Sequence, residues 1–347
     1  MIEYTSTRHN PGIDPTLHLW GWEIPVYLFL GGLVAGLMML SGYHLLRSRW
    51  DHDRAHGHYV TAPLFSLALL SAGMLTLFLD LEHKVQVWRL YLTFRPASPM
   101  SWGSWILLLV YPALAASALL TLPDSLPRLV RRLPVLSRVA ATLSGRDGTV
   151  HLIGFANLVL GAMLGVYTGV LLSALGARPL WNSALLGPLF LFSGLSTGAA
   201  TLHLLSHLTP RARGDAPGFS DALASVLVTW LRPPSAPEGS RKLEQADNSF
   251  LTIELVLLAL FFGGLMTSTL AHQTGARLLL TGPWAAPFWV FVVGSGILLP
   301  LLLQFLQAQR RIQSTLVPAL LVIGGGLALR FILVAAGQAS HWSIALP

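Results

Sequence analysis

Eight stretches of this chain are apolar over lengths that a soluble domain rarely needs: Ile24 to Leu46, Thr61 to Leu81, Trp102 to Leu122, His151 to Leu175, Ala184 to Ser206, Phe250 to His272, Trp284 to Leu306 and Thr315 to Gln338. Each reaches the roughly 20 residues that carry a helix across the hydrocarbon core of a bilayer. No water reaches the backbone there, so a span must satisfy its N–H and C=O groups internally, which an α-helix does within one segment. The expected fold is therefore an all-α membrane protein with eight transmembrane helices. A hydrophobic content of 53%, only 11% charged residues and a mean hydropathy of +0.62 agree with that reading and exclude a soluble domain of 347 residues.

The net charge of +7 does not point to nucleic acid, because the basic residues sit in short loops between apolar runs without interleaved aromatics. They set topology and meet anionic lipid. With the N-terminus outside, the cytoplasmic loops hold fifteen lysines and arginines and the outer loops six, with Arg330 inside a helix. The positive-inside rule then places both termini on the outer side of the membrane. The first 23 residues lack a basic n-region and a small-residue cleavage site, so no cleaved signal peptide is expected. The chain divides into an outer segment 1–23, spans one to five over 24–206, a cytoplasmic loop 207–249, spans six to eight over 250–338 and an outer tail 339–347. Within the loop, Phe219 to Trp230 is too short to span and reads as an interfacial helix ahead of RPPSAPEG. There is no cysteine, so an iron-sulfur cluster would have to come from a partner.

The fourth and fifth runs form a hairpin. Gly161, Gly165 and Gly169 give the fourth helix a smooth packing face, and Gly32, Gly36, Gly194 and Gly198 read the same way in the first and fifth. Tyr167 lies about 200° from Gly165 and roughly 12 Å below the end of its run, facing a cavity or lipid. The turn carries Arg178, Trp181 and Asn182 where an indole suits the membrane–water boundary.

YTG followed by ARPLWN at this hairpin resembles the integral membrane subunit of the polysulfide reductase type, the NrfD/PsrC family. GWEIPVYLFLGGLVAG (Gly21 to Gly36), FRPASPMSWGSW (Phe94 to Trp105) and LRFILVAAGQ (Leu329 to Gln338) extend the resemblance over nearly the whole chain, in the family's order. It implies two four-helix bundles, the first made by helices one to four around a quinone site, and a subunit without haem. It also implies menaquinone or ubiquinone as the cofactor, and an iron-sulfur subunit of the four-cluster ferredoxin type with a catalytic subunit docked outside. The family's pocket tyrosine matches Tyr167, with Thr168 and Trp105 in the matching segments. Glu23 and Tyr27 lie in the helix-one segment that borders the pocket, and Ile24 and Tyr27 stand where some relatives carry amide and histidine groups.

Ionisable groups within spans ask for a reason. Asp80 closes the second run, Glu23 opens the first, Glu254 sits one turn into the sixth and Arg330 lies inside the eighth. Glu23, Asp80 and Tyr167 share the outer end, so a site there would offer two proton acceptors and a phenol to a quinone headgroup. Each also has a structural reading. Glu23 suits a helix N-terminus. Asp80 has Lys84, Arg89 and Arg95 as candidate partners, Tyr27 and Tyr167 fit an aromatic belt, and Arg330 has Glu254. Two other functions stay open from the residues alone: a transporter or proton channel using Asp80 and Arg330, and a haem-bearing cytochrome b subunit using His44, His151, His203 or His207.

Overall fold

The computed structural model describes residues 20–47, 57–126, 130, 132–176, 178–208, 238–309, 311 and 315–342. The interfacial helix expected at Phe219 to Trp230 lies outside the described residues, as does nearly all of the N-terminal segment. The helices are α1 (Glu23–Arg47), α2 (Gly57–Asp80), α3 (Arg89–Leu92), α4 (Pro99–Ser125), α5 (Pro134–Ser144), α6 (Asp147–Ser173), α7 (Leu186–Leu208), α8 (Glu238–Met266), α9 (Leu270–Leu280), α10 (Ala285–Ala308) and α11 (Val317–Gln338). Eight of these, all but α3, α5 and α9, are long and apolar enough to cross a bilayer, and the described residues contain no strand. The protein is a multi-pass, all-α membrane protein, as its eight apolar runs predict.

Helices α1, α2, α4 and α6 pack as one group, α7, α8, α10 and α11 as a second, and α1 and α7 form the seam between them. Glycine makes that seam possible. A Cβ placed on Gly36 would collide with the Gly194 carbonyl oxygen, so these backbones touch where a larger residue would hold them apart. The α6 glycine face does what its spacing predicts: Gly161 abuts Ala35 of α1, and Gly169 abuts Leu186 of α7.

The N-terminus of α1, the α2–α4 and α6–α7 connections and the end of α11 share one end of the molecule, where Trp20 pairs with both Gln338 and Trp181. We call it the aromatic end. The opposite, basic end carries Arg47, Arg132, Arg138, Arg146 and Arg311.

Two local departures from the sequence reading matter for function. The sixth span does not run from Phe250 to His272. The polar residues from Glu238 onward continue the helix, and α8 ends at Met266, just after Gly263 and Gly264. Thr267 bonds back to the Gly263 carbonyl at 2.9 Å, and an extended Thr269 starts α9, which takes His272 with it. Glu254 therefore sits near the middle of its span rather than one turn inside its end. In α10, residues Phe288–Leu298 adopt a π-helix immediately before Pro300, whose ring cannot donate to the carbonyl four residues back.

Candidate functional site

A cavity of about 580 Å³ opens between α4 and α6 toward the aromatic end. Its walls are almost wholly apolar: Pro96, Pro99, Trp102 and Ile106 from one side, Met163 and Val166 from the other. That size suits a small organic ring with an apolar tail. The one hydroxyl on the wall belongs to Tyr167, which is 6% exposed. Its ring lies flat against Gly103, where an added Cβ would overlap the phenol, so the glycine of SWGSW leaves the space the ring occupies. None of the described residues gives the Tyr167 hydroxyl a hydrogen bond, which leaves its donor for a ligand.

Three more phenols lie near Tyr167 or one another, and two carboxylates stand at the same end of the molecule. Tyr27, 4% exposed, packs against Gly73 of α2 and lies near Tyr167 and Tyr91, so it is buried rather than part of a lipid-facing belt. Burial, and then the neighbouring Tyr111, raises the Tyr91 hydroxyl above the usual phenol range, which keeps it a donor at neutral pH. Half-buried Asp80 ends α2 close enough to Glu23 to feel its charge. Among the described residues no ion pair joins Asp80 to Lys84, Arg89 or Arg95. Beside this region, a groove of about 370 Å³ is lined by His83, Gln86, Arg89, Arg95 and Ser101.

Two expected site residues face elsewhere. Thr168 is fully buried, its hydroxyl donates to Gly165 O at 2.7 Å, and its methyl meets Gly31 of α1. One residue on from Tyr167 is 100° around the helix, which turns Thr168 into the helix seam. Trp105 is 37% exposed and packs edge-on against Phe94 at 5.5 Å, while Trp102, one turn earlier, forms the cavity wall. Within the α6–α7 turn Asn182 is exposed, while the aromatic and basic side chains are buried in protein. Trp181 is 2% exposed and donates to Leu333 O at 2.8 Å, and Arg178 donates to Ser340 O at 2.8 Å, because the end of α11 covers them.

The second helix group holds a different polar cluster. Arg330 lies over the Phe190 ring at 4.6 Å and donates to Ser193 Oγ and to Phe190 O, the latter at 3.1 Å. Glu254 accepts from Ser196 at 3.2 Å and faces Ser193 as well, so the serine links it to the arginine. The depths of Glu254 and Arg330 thus agree once α8 is extended. Asp247 accepts from Gln304 Nε2 at 2.8 Å, and His203 approaches Glu244 at 3.9 Å. Sequence reading missed Asp247 because it began the span at Phe250, and it passed over Gln304, a neutral amide inside the seventh apolar run. The spacing of Glu244, Asp247 and Glu254 along one helical face was the available signal.

The histidines weighed for haem have the following described neighbours. His44 stacks on Tyr59 at 4.1 Å, His151 is exposed against Asp147 O, and His203 lies beside Glu244. The side chain of His207 is outside the described residues. No three His, Asp or Glu side chains converge as a metal site among the described residues.

Eight spans, with an apolar cavity and one uncommitted phenol at one end, define a multi-pass membrane protein whose pocket suits an apolar ligand. The chain belongs to the polysulphide reductase, NrfD family, whose model matches residues 7–217 and 216–341. It is 30% identical over 330 residues to Protein NrfD of Escherichia coli, covering 92% of this chain and 95% of that one. It is 28% identical over 336 residues to a polysulfide reductase chain of Wolinella succinogenes, with 92% and 94% covered. A selenate reductase subunit of Mesobacillus selenatarsenatis matches at 24% over 334 residues, which is 91% of this chain and 73% of that protein.

Proposed function

We propose that the chain is the membrane anchor and quinol-binding subunit of a respiratory oxidoreductase complex in a prokaryotic inner membrane. In this reading it exchanges electrons between menaquinone or ubiquinone and an iron-sulfur partner that serves a catalytic subunit. The cavity beside Tyr167 is the observation that carries the proposal: apolar walls for a ring and tail, and one free hydroxyl for a headgroup oxygen. The two relatives named as parts of polysulfide and selenate reductases support membership of such a complex.

Oxidation of a quinol releases two electrons and two protons. Tyr167 holds a headgroup oxygen by hydrogen bonding, and Asp80, together with the nearby Glu23, receives the protons at the aromatic end. The electrons leave to the partner docked over the same end, where Arg89 and Arg95 line a groove suited to an acidic surface. Reduction of a quinone runs through the same groups in reverse. The positive-inside asymmetry supports an outer position for this end.

Tyr167→Phe deletes one hydroxyl in an otherwise apolar wall. A buried ligand oxygen left without its partner costs about 1 to 3 kcal/mol, so quinol-linked turnover of the assembled complex should fall about tenfold or more. Turnover from a dye that feeds the iron-sulfur partner directly should not change. Asp80→Asn should lower turnover more than binding and alter the pH profile. Normal quinol kinetics in both variants, with the complex assembled, would sink the proposal. Orientation has its own test: Ser137→Cys and Ser183→Cys, introduced singly into this cysteine-free chain, should label from opposite sides with an impermeant maleimide.

A further inference from the structure

The quinone reading leaves the cluster between α7, α8 and α10 unused. Asp247 is 3% exposed and Gln304 6% exposed, and they share one hydrogen bond of 2.8 Å. The second carboxylate oxygen, Asp247 Oδ1, and the amide oxygen, Gln304 Oε1, are buried with no hydrogen-bond partner among the described residues. Two acceptors left like this ask for a donor that is not a fixed side chain. Both residues line a void of about 10 Å³ together with His203, Glu244, Gln307 and Thr315. That is close to the smallest space a single water can occupy, and the lining is polar enough to hold one.

The arrangement has a direction. Glu244, Asp247 and Glu254 lie within about 80° of one another around α8, and Asp247 is about 10 Å nearer the basic end than Glu254. Glu244 is half-buried at the basic end, with His203 of α7 facing it at 3.9 Å. Beyond Asp247 the same face turns apolar at Leu251 before reaching Glu254, Ser196, Ser193 and Arg330. These are the titratable and charged groups that α7, α8 and α11 bring to the cluster among the described residues; the α10 contribution, Gln304, is neutral.

We propose that Asp247 is a proton-binding site reached from the basic end alone. A proton taken up from water by Glu244 or His203 passes through one bridging water to the Asp247 carboxylate and leaves a neutral acid hydrogen-bonded to Gln304. No electron moves, and the site is released by the reverse path. The Asp247 proton is felt by Glu254 and Arg330 through charge across the dry stretch at Leu251, which links proton uptake at one membrane face to the buried centre at the helix seam.

The test uses the full chain in vesicles of known orientation and dicyclohexylcarbodiimide, an apolar reagent that modifies protonated carboxyls, with the modified residue mapped by mass spectrometry. Asp247 should be labelled in acid buffer. Labelling should fall about tenfold per pH unit once the carboxyl ionises, and only when the buffer at the basic end is changed. Glu244→Gln combined with His203→Gln should slow that response without abolishing the label. Absence of label at Asp247 at every pH, or label that follows the buffer at the aromatic end, would overturn the proposal. Neither readout needs quinone or a partner subunit, so the outcome is independent of the quinone site, and the labelling of the unsubstituted chain decides it even if the Glu244→Gln, His203→Gln double variant does not fold.

Discussion

The two helix groups treat polarity in opposite ways. Around the cavity of α4 and α6, the walls are apolar and the one phenol on them holds its donor in reserve. In the α7, α8 and α11 group, Arg330 and Glu254 are buried deeper, and their polar atoms are largely committed to Ser193, Ser196 and the Phe190 carbonyl. A hydroxyl left uncommitted at a cavity suits binding and release. A buried charge held by several partners fixes how helices meet. Substitution of Tyr167 should therefore change function with little effect on the fold, and substitution of Arg330 should do the reverse.

The largest effect is expected at Arg330→Met, which leaves Glu254 and Ser193 facing no cation. Removing one member of a buried charged set typically costs about 3 to 5 kcal/mol. Thermal unfolding in detergent should show a marked loss of folded protein, and adding Glu254→Gln should recover part of it. Full stability of Arg330→Met would erase the contrast between the groups. Tyr167→Phe comes next, with its tenfold loss of quinol-linked turnover and an unchanged melting temperature; a large fall in melting temperature would make Tyr167 a packing residue.

A smaller effect separates two tryptophans, of which sequence reading named Trp105 and the structure puts Trp102 on the cavity wall. Trp102→Leu thins the cavity wall and should raise KM for quinol by roughly fivefold, equivalent to about 1 kcal/mol of lost apolar contact. Trp105→Leu, on the Phe94 side, should leave KM close to that of the parent, and equal effects would show that the cavity wall does not set affinity. The smallest is Thr168→Val. Its hydroxyl serves only its own helix, so stability should move within about 0.5 kcal/mol and quinol kinetics should not move.

The number and type of spans were legible because bilayer thickness sets a length that any window of residues must meet, whatever its neighbours. Glycine spacing on α1, α6 and α7 was legible for a similar reason: close approach needs small residues at helical repeats. Tyr167 and its place off the glycine face follow from the same 100° rotation per residue. What the sequence could not decide was which apolar face meets protein and which meets lipid, since both media are apolar and a Leu or Trp suits either. That choice sent Thr168 into the seam, Trp105 outward and Trp181 beneath the end of α11. The ends of α8 were hidden as well, because Glu238 to Asn248 is polar by composition yet helical by propensity, with Gly263 and Gly264 near its actual stop. Only packing showed that Glu254 lies level with Arg330 and that Asp247 is inside the protein. The depth of a charge in a membrane helix is set by the neighbours that can satisfy it, and here those neighbours come from helices far apart in the chain.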